Sequence, residues 1–300
     1  MILASYNGEK FINEQINSIL AQKGVDVEIW IFDDLSSDLT CSIIEKITDK
    51  RVRHKINFKP SGSAALNFLT AIISLDPSVF QNYDFFALSD QDDIWLDNKL
   101  IKAIKSIIQS GAGLYASNLT LWNNEDNSKR LLVKCHAQTQ YDYLFEGASA
   151  GCTYVMTAAL VQNLVKDLST LNLNNWRYIS HDWLIYFYAR KSKIPVFIDD
   201  YSYILYRIHS TNVHGHLNKV SFKSYVKRFS LVLNGWYFKQ ISEFSKLLPS
   251  DSTEFKIYQM YSANWFFRSW IILKYNFKLI RNRRKFFIFA LISMFPRIKN

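Results

Sequence analysis

At 300 residues and 49% hydrophobic, the chain can bury a full core and suits one large domain plus an appendage. Cys41, Cys135 and Cys152 are far apart and odd in number, which excludes a disulfide framework or zinc spacing and points to a reducing cytoplasm. The net charge of +10 is held unevenly: Lys219–Asn300 carries 16 basic against 3 acidic residues, and the rest is slightly acidic. Along the chain, Ile2-Leu3-Ala4-Ser5 reads as the end of a strand that turns at Tyr6-Asn7-Gly8. A helix follows, with apolar residues at Phe11, Ile12, Ile16, Ile19 and Leu20. Val27–Phe32 reads as a buried strand that runs into the acidic turn Asp33–Thr40, and Cys41–Ile47 is helix-like. Phe85–Leu88 is an apolar run ending in Asp90-Gln91-Asp92-Asp93, before Ile94-Trp95. Strands alternating with helices, each strand ending in polar residues, predict a parallel α/β sheet with its ligand beyond the carboxyl ends of the strands. There is no basic and apolar leader pattern, so no secretion signal is expected.

A carboxylate cluster at a strand end is costly unless something cationic neutralises it. Mg²⁺ or Mn²⁺ carrying a diphosphate suits it, because these ions favour carboxylate oxygens plus substrate phosphates. A bare Asp-x-Asp, taken alone, reads more readily as a solvated acidic turn capping the next helix; the rest of the chain turns the reading toward a ligand site.

The segments Ala4–Gly8, Asp33–Asp38 and Leu88–Trp95 together resemble the signature segments of family 2 glycosyltransferases, nucleotide-sugar enzymes of the GT-A fold. His181-Asp182-Trp183 and Tyr206–Asn212 agree, in the family's order, and the flavour is that of the bacterial rhamnosyltransferase-like branch. The resemblance implies Asp92 as a direct metal ligand, Asp90 on metal or ribose, and Asp93 in support. It implies Ser5 and Tyr6 at the nucleotide, with Tyr6 stacked on the base, and Asp34 or its neighbour Asp33 accepting from a uracil or thymine N–H. It implies Asp182 as general base of an inverting transfer, and Arg207 and His209 over the donor diphosphate. Gly62–Asn67 and the small-residue segment Gly147–Thr153 fall in donor-side and acceptor-side zones. One departure stands out: the family often has Gly after the paired aspartates, where this chain has Leu35, which is strained if that position needs φ above zero.

The C-terminal part combines its basic excess with Trp236, Tyr237, Phe238, Trp265, Phe266, Phe267 and Trp270, and Arg281–Lys285 leads into the apolar run Phe286–Phe295. That run is about half the roughly 20 residues that span a bilayer. Basic residues beside aromatics suit helices lying on anionic lipid, while a solvated basic face on a packed helical subdomain is the plainer reading. No recognition motif supports a nucleic-acid partner, and His214-Gly215-His216 reads as a solvated loop.

The resulting expectation is a GT-A α/β domain over residues 1–215, followed by a helical basic, membrane-associating appendage over 216–300. The expected activity moves a sugar, with rhamnose suggested, from a dTDP- or UDP-sugar to a lipid-linked saccharide. The expected location is cytoplasmic, peripheral on the inner face of the cell membrane. A nucleotidyltransferase and a non-catalytic sugar-nucleotide or membrane scaffold are the rival readings. The first lacks its Gly-rich basic loop at Ser5–Glu9. The second is opposed by the joint presence of Asp34, Asp90, Asp92 and Asp182. Without a Gln-x-x-Arg-Trp segment or long membrane spans, a processive synthase is not expected.

Overall fold

The computed structural model describes residues 1–169, 179–209 and 235–294. Strands β1 (Ile2–Ser5), β2 (Ile29–Asp33), β3 (Val52–Ile56) and β4 (Phe85–Ser89) lie parallel in the order β3-β2-β1-β4. β1 is central and buried throughout, which explains its uninterrupted apolar run. Leu3, Ile29 and Ile31 face Ile12, Ile16 and Ile19 of helix α1 (Ile12–Leu20). On the other face, Ile2, Ala4 and Phe32 share a core with Leu66, Phe68 and Leu69 of α3 (Ala64–Ile73). The short helix α2 (Thr40–Glu45) joins β2 to β3.

The chain steps outward from β1 to β3 and then returns past β1 to lay down β4. The loops leaving β1 and β4 therefore diverge and open a crevice at the carboxyl ends of the strands. Pairing of Ser5 with Asp33, and of Leu3 with Ser89, puts all three loops at one edge.

The sheet continues through β8 (Val155–Thr157), β6 (Leu114–Asn123), β9 (Val196–Ile208) and β5 (Ile94–Trp95), with β7 (Lys129–Leu132) beside β6. β9 runs parallel to β6 and antiparallel to β5, with Leu205 opposite Ile94. That pairing returns the end of β9 to the Asp90–Asp93 loop. Between these strands lie α4 (Val79–Asn82), α5 (Lys99–Ser110), α6 (Ala158–Leu168) and α7 (His181–Lys191). α7 is buried from Trp183 to Ala189, so it shows no amphipathic stripe.

Helices α8 (Trp236–Phe244), α9 (Thr253–Ala263), α10 (Trp265–Tyr275) and α11 (Arg283–Met294) follow. Ile241, Phe244, Ile257, Tyr258, Tyr261 and Phe289 belong to the same buried cluster as Phe145, Trp183 and Phe187. Phe244 sits 4.8 Å from Phe187 and 5.1 Å from Trp183, centroid to centroid. The change of charge along the sequence is thus not a change of core. The expected boundary at 215/216 lies outside the described residues, as do His214-Gly215-His216, Ser210–Asn212 and Phe295. Among the described residues, no helix is long and apolar enough to cross a membrane.

Candidate active site

The turns after β1 and β2 are laced together by side chains. Asp33 is fully buried. Its carboxylate accepts from Ser5 Oγ (2.8 Å), from Ser36 N and Oγ (both 2.7 Å), and from Cys41 Sγ (3.5 Å). It therefore builds the turn. Asp34 accepts from Asn57 Nδ2 (2.9 Å), Ser61 N (2.7 Å) and Ser61 Oγ (2.7 Å), which folds the chain before α3 over this edge. Asn67 ties that segment down by donating to Phe32 O at 2.9 Å. Tyr6 stands at the mouth, 56% exposed. Its backbone is clamped by Gln91, which accepts from Tyr6 N (2.8 Å) and donates to Tyr6 O (2.9 Å). The Tyr6 ring is thus free to stack while its main chain is tied to the carboxylate loop.

Leu35 has φ +62, a left-handed backbone that costs an L residue about 1–2 kcal/mol. Glycine adopts it freely but gives up about 0.5–1 kcal/mol in chain entropy. Leu35→Gly is expected to leave stability equal or raise it by up to about 1 kcal/mol, while β-branched Leu35→Val lowers it. Thermal unfolding checks the order; a Val variant at least as stable as the Gly variant refutes the strain.

The Asp90–Asp93 loop gathers the carboxylates of Asp90, Asp92 and Asp93. Burial, then the charges of Asp92 and Asp182, push the Asp90 carboxyl up to about 7. Asp93 is buried, and desolvation followed by Asp92 and Asp90 raises its carboxyl well above the ordinary range. Beneath it lie Cys152 and Lys99, both buried. One ligand atom from each of Asp90, Asp93 and Cys152 falls within 4.8 Å of the others. Burial keeps the Cys152 thiol neutral, with Asp93 adding to the effect.

The end of β9 closes over this loop. His209 Nε2 lies 2.7 Å from Asp92 Oδ2, and its ring packs on Phe11 with centroids 4.9 Å apart. Arg207 has a side chain 1% exposed. It pairs with Glu14, donates from Nε to Asp92 O at 3.0 Å, and lies between the rings of Phe11 and Trp122. The structure therefore places Arg207 under the carboxylate loop, holding its backbone, and places His209 against the Asp92 carboxylate.

Asp182 enters from the first turn of α7. Its Oδ1 accepts from Ser180 Oγ and from Trp183 N, the latter at 2.8 Å. Burial works against its charge, but His181, the Ser180 hydroxyl, Lys134 and the Trp183 N–H outweigh it and hold the carboxyl below its ordinary value. Asp182 is thus an ionised acceptor within electrostatic reach of Asp90. His181 stacks on Phe68 with centroids 4.5 Å apart, and burial lowers its pKa.

Ser5, Tyr6, Asp33, Asp34, Asp90, Asp92, Arg207, His209 and Asp182 all line or underlie this one edge. Sequence reading passed over Gln91, Glu14, Ser61, Cys152 and Lys134. Gln91 and Cys152 lie inside segments singled out in the sequence, without a role of their own there; Glu14, Ser61 and Lys134 come from segments with no local signature.

Residues 1–167 match Glycosyl transferase family 2. The chain is 39% identical over 255 residues to the dTDP-rhamnosyl transferase RfbG of Shigella flexneri, across 83% of this chain and 86% of that one. It is 27% identical over 169 residues to the UDP-Glc:alpha-D-GlcNAc-diphosphoundecaprenol beta-1,3-glucosyltransferase WfgD of Escherichia coli, across 56% of this chain and 62% of that one. Its fold is similar to that of S. aureus TarS 1-349 in complex with UDP-GlcNAc, with a TM-score of 0.56 and 16% identity over 98% of this chain and 87% of that chain.

Proposed function

The chain belongs to glycosyl transferase family 2, and on that premise we propose that it transfers rhamnose from dTDP-rhamnose to a lipid-linked saccharide, with inversion, in the building of a bacterial surface polysaccharide. One observation supports the reading: Asp182, at the start of α7, lies within electrostatic reach of Asp90, whose loop follows β4 at the strand edge where a GT-A sheet binds its donor. The choice of donor sugar and base follows the similarity to RfbG. A lipid-linked acceptor follows the name of WfgD.

In this reading Tyr6 stacks on the base, and Asp34 accepts from the ring N–H with Ser5 and Asp33 shaping the turn. His209 Nε2 meets the Asp92 carboxylate at 2.7 Å and Asp90 stands two residues before it on the same loop; oxygen and nitrogen donors of this kind suit Mg²⁺ or Mn²⁺ together with substrate phosphate. Such an ion supplies Lewis-acid neutralisation of the leaving diphosphate when bound. Asp182 takes the proton of the acceptor hydroxyl as that oxygen attacks the anomeric carbon from the face opposite the leaving group. The nucleotide diphosphate leaves with the bonding electron pair. Arg207 holds the Asp92 backbone from below. The test is to incubate the full chain with dTDP-rhamnose, UDP-glucose or UDP-GlcNAc, Mn²⁺ and an undecaprenyl-diphosphate saccharide. Product from dTDP-rhamnose is expected, and turnover of only the UDP-sugars refutes the donor.

The C-terminal helices support attachment to an anionic membrane surface. α10 and α11 leave Trp265, Phe266, Leu273, Phe287 and Leu291 exposed, the last two at 62% each. Lys274 and the exposed Arg283, Arg284 and Lys285 lie on the same two helices. Aromatics beside basic residues suit a lipid interface, where each basic residue contributes about 1 kcal/mol and salt screens it. We expect the full chain to co-sediment with anionic vesicles, more weakly at high salt, and Phe266→Ser/Phe287→Ser to lose the salt-resistant part. A full chain that stays in the supernatant with anionic vesicles at low salt refutes the attachment.

A further inference from the structure

Arg281 opens the basic run that the sequence analysis assigns to the membrane, yet its side chain is 1% exposed. It points inward, at the acceptor-side segment. Its backbone N (2.7 Å) and Nε (3.1 Å) donate to Glu146 Oε1, its Nη1 donates to Ala148 O (3.1 Å), and its Nη2 donates to Gly147 O. Nε also lies 3.3 Å from the buried Asp142 carboxylate. One guanidinium thus holds three consecutive residues, a task for its planar fork that a lysine ammonium does only in part.

The far side of that segment bears on Asp182. A Cβ at Gly147 would stand 3.2 Å from both N and Cα of Trp183 and 3.5 Å from the Asp182 carbonyl carbon, so the two backbones are in contact. Tyr154 closes the connection. Its hydroxyl donates to Asp182 O (3.1 Å) and accepts from Ala148 N (3.1 Å) and Ser149 N (3.3 Å).

We propose that Arg281 is a positioning residue for Asp182: through Gly147, Ala148 and Tyr154 it sets how far the first turn of α7 reaches into the crevice. The proposal rests on Asp182 being the general base. A residue that merely supports the fold would act on every step alike, whereas one that aims the base matters only while the base is there.

The test is a double-mutant cycle, read by single-turnover transfer on the full chain with Mn²⁺. Circular dichroism checks folding, and calorimetry follows dTDP binding. Arg281→Lys is expected to lower the transfer rate about 10-fold with dTDP affinity unchanged, since a small misplacement of a reacting group is expensive. In the Asp182→Asn background the same change is expected to cost less than about 2-fold. Equal losses in the two backgrounds, or no loss in the first, overturn the proposal. Should Arg281→Lys not fold, the same cycle with Tyr154→Phe decides by the same outcomes. An Asp182→Asn variant at full rate removes the base assignment itself, and the proposal with it.

Discussion

Asp182→Asn is expected to lower kcat by about 10²- to 10⁴-fold, the usual contribution of a positioned general base, with nucleotide affinity near normal. The amide keeps the size and the contact with Trp183 N but cannot take the acceptor proton. The group sits at the start of α7, so a plain capping role is the competing account. Capping loss costs stability of about 1 kcal/mol and leaves chemistry alone. The two accounts therefore separate in the split between kcat and Tm. The pH dependence separates them again. Burial opposes the charge, but His181, Ser180, Lys134 and the Trp183 N–H hold the Asp182 carboxyl below its ordinary 3.8. A depressed pKa leaves the base ionised across the neutral range and begins to remove it only as pH falls toward that value. The ratio of wild-type to mutant rate should then be large at neutral pH and fall as pH drops toward that value, whereas a cap leaves it near one throughout. A mutant with full kcat shows that Asp182 is only a cap.

Asp92→Asn is expected to abolish metal-dependent donor binding and to cost several kcal/mol, roughly the transition-state stabilisation that a Lewis-acid metal supplies. Asp92 is the carboxylate that His209 touches, at 2.7 Å, and its carbonyl is held by Arg207. The backbone anchor survives the substitution, so the loop keeps its path while one anionic ligand is lost. Calorimetry of dTDP with and without Mn²⁺ is the check. Equal affinity and turnover in mutant and wild type would sink the metal assignment at this residue. His209→Ala gives a graded comparison: it removes the imidazole and leaves both carboxylates.

The sequence alone carried the parallel α/β core, because strand and helix periods and polar strand ends are local signals. Ile12, Ile16 and Ile19 mark one helix face, and Asp33-Asp34 and Asp90–Asp93 mark strand ends. The left-handed turn at Leu35 was also legible, since one absent glycine in a known pattern shows where the backbone must turn. Boundaries moved by one or two residues where local rules are weakest: β2 runs over Ile29–Asp33 instead of Val27–Phe32, and α2 over Thr40–Glu45 instead of Cys41–Ile47. The task of each charge was decided by tertiary structure. The family resemblance puts Arg207 over the donor diphosphate, and Arg281 opens a basic run beside an apolar one, yet both side chains are buried against carboxylates and carbonyls. Only the pairing of β9 with β5 and β6 brings Arg207 and His209 to Asp92, more than a hundred residues away. Likewise, the sequence left a lipid-bound and a packed helical appendage both open after Lys219, and only the packing shows Ile241, Phe244, Tyr258 and Phe289 completing the core around Trp183. Charge and residue type are properties of the chain, whereas burial and partnership belong to the packing of segments far apart in it.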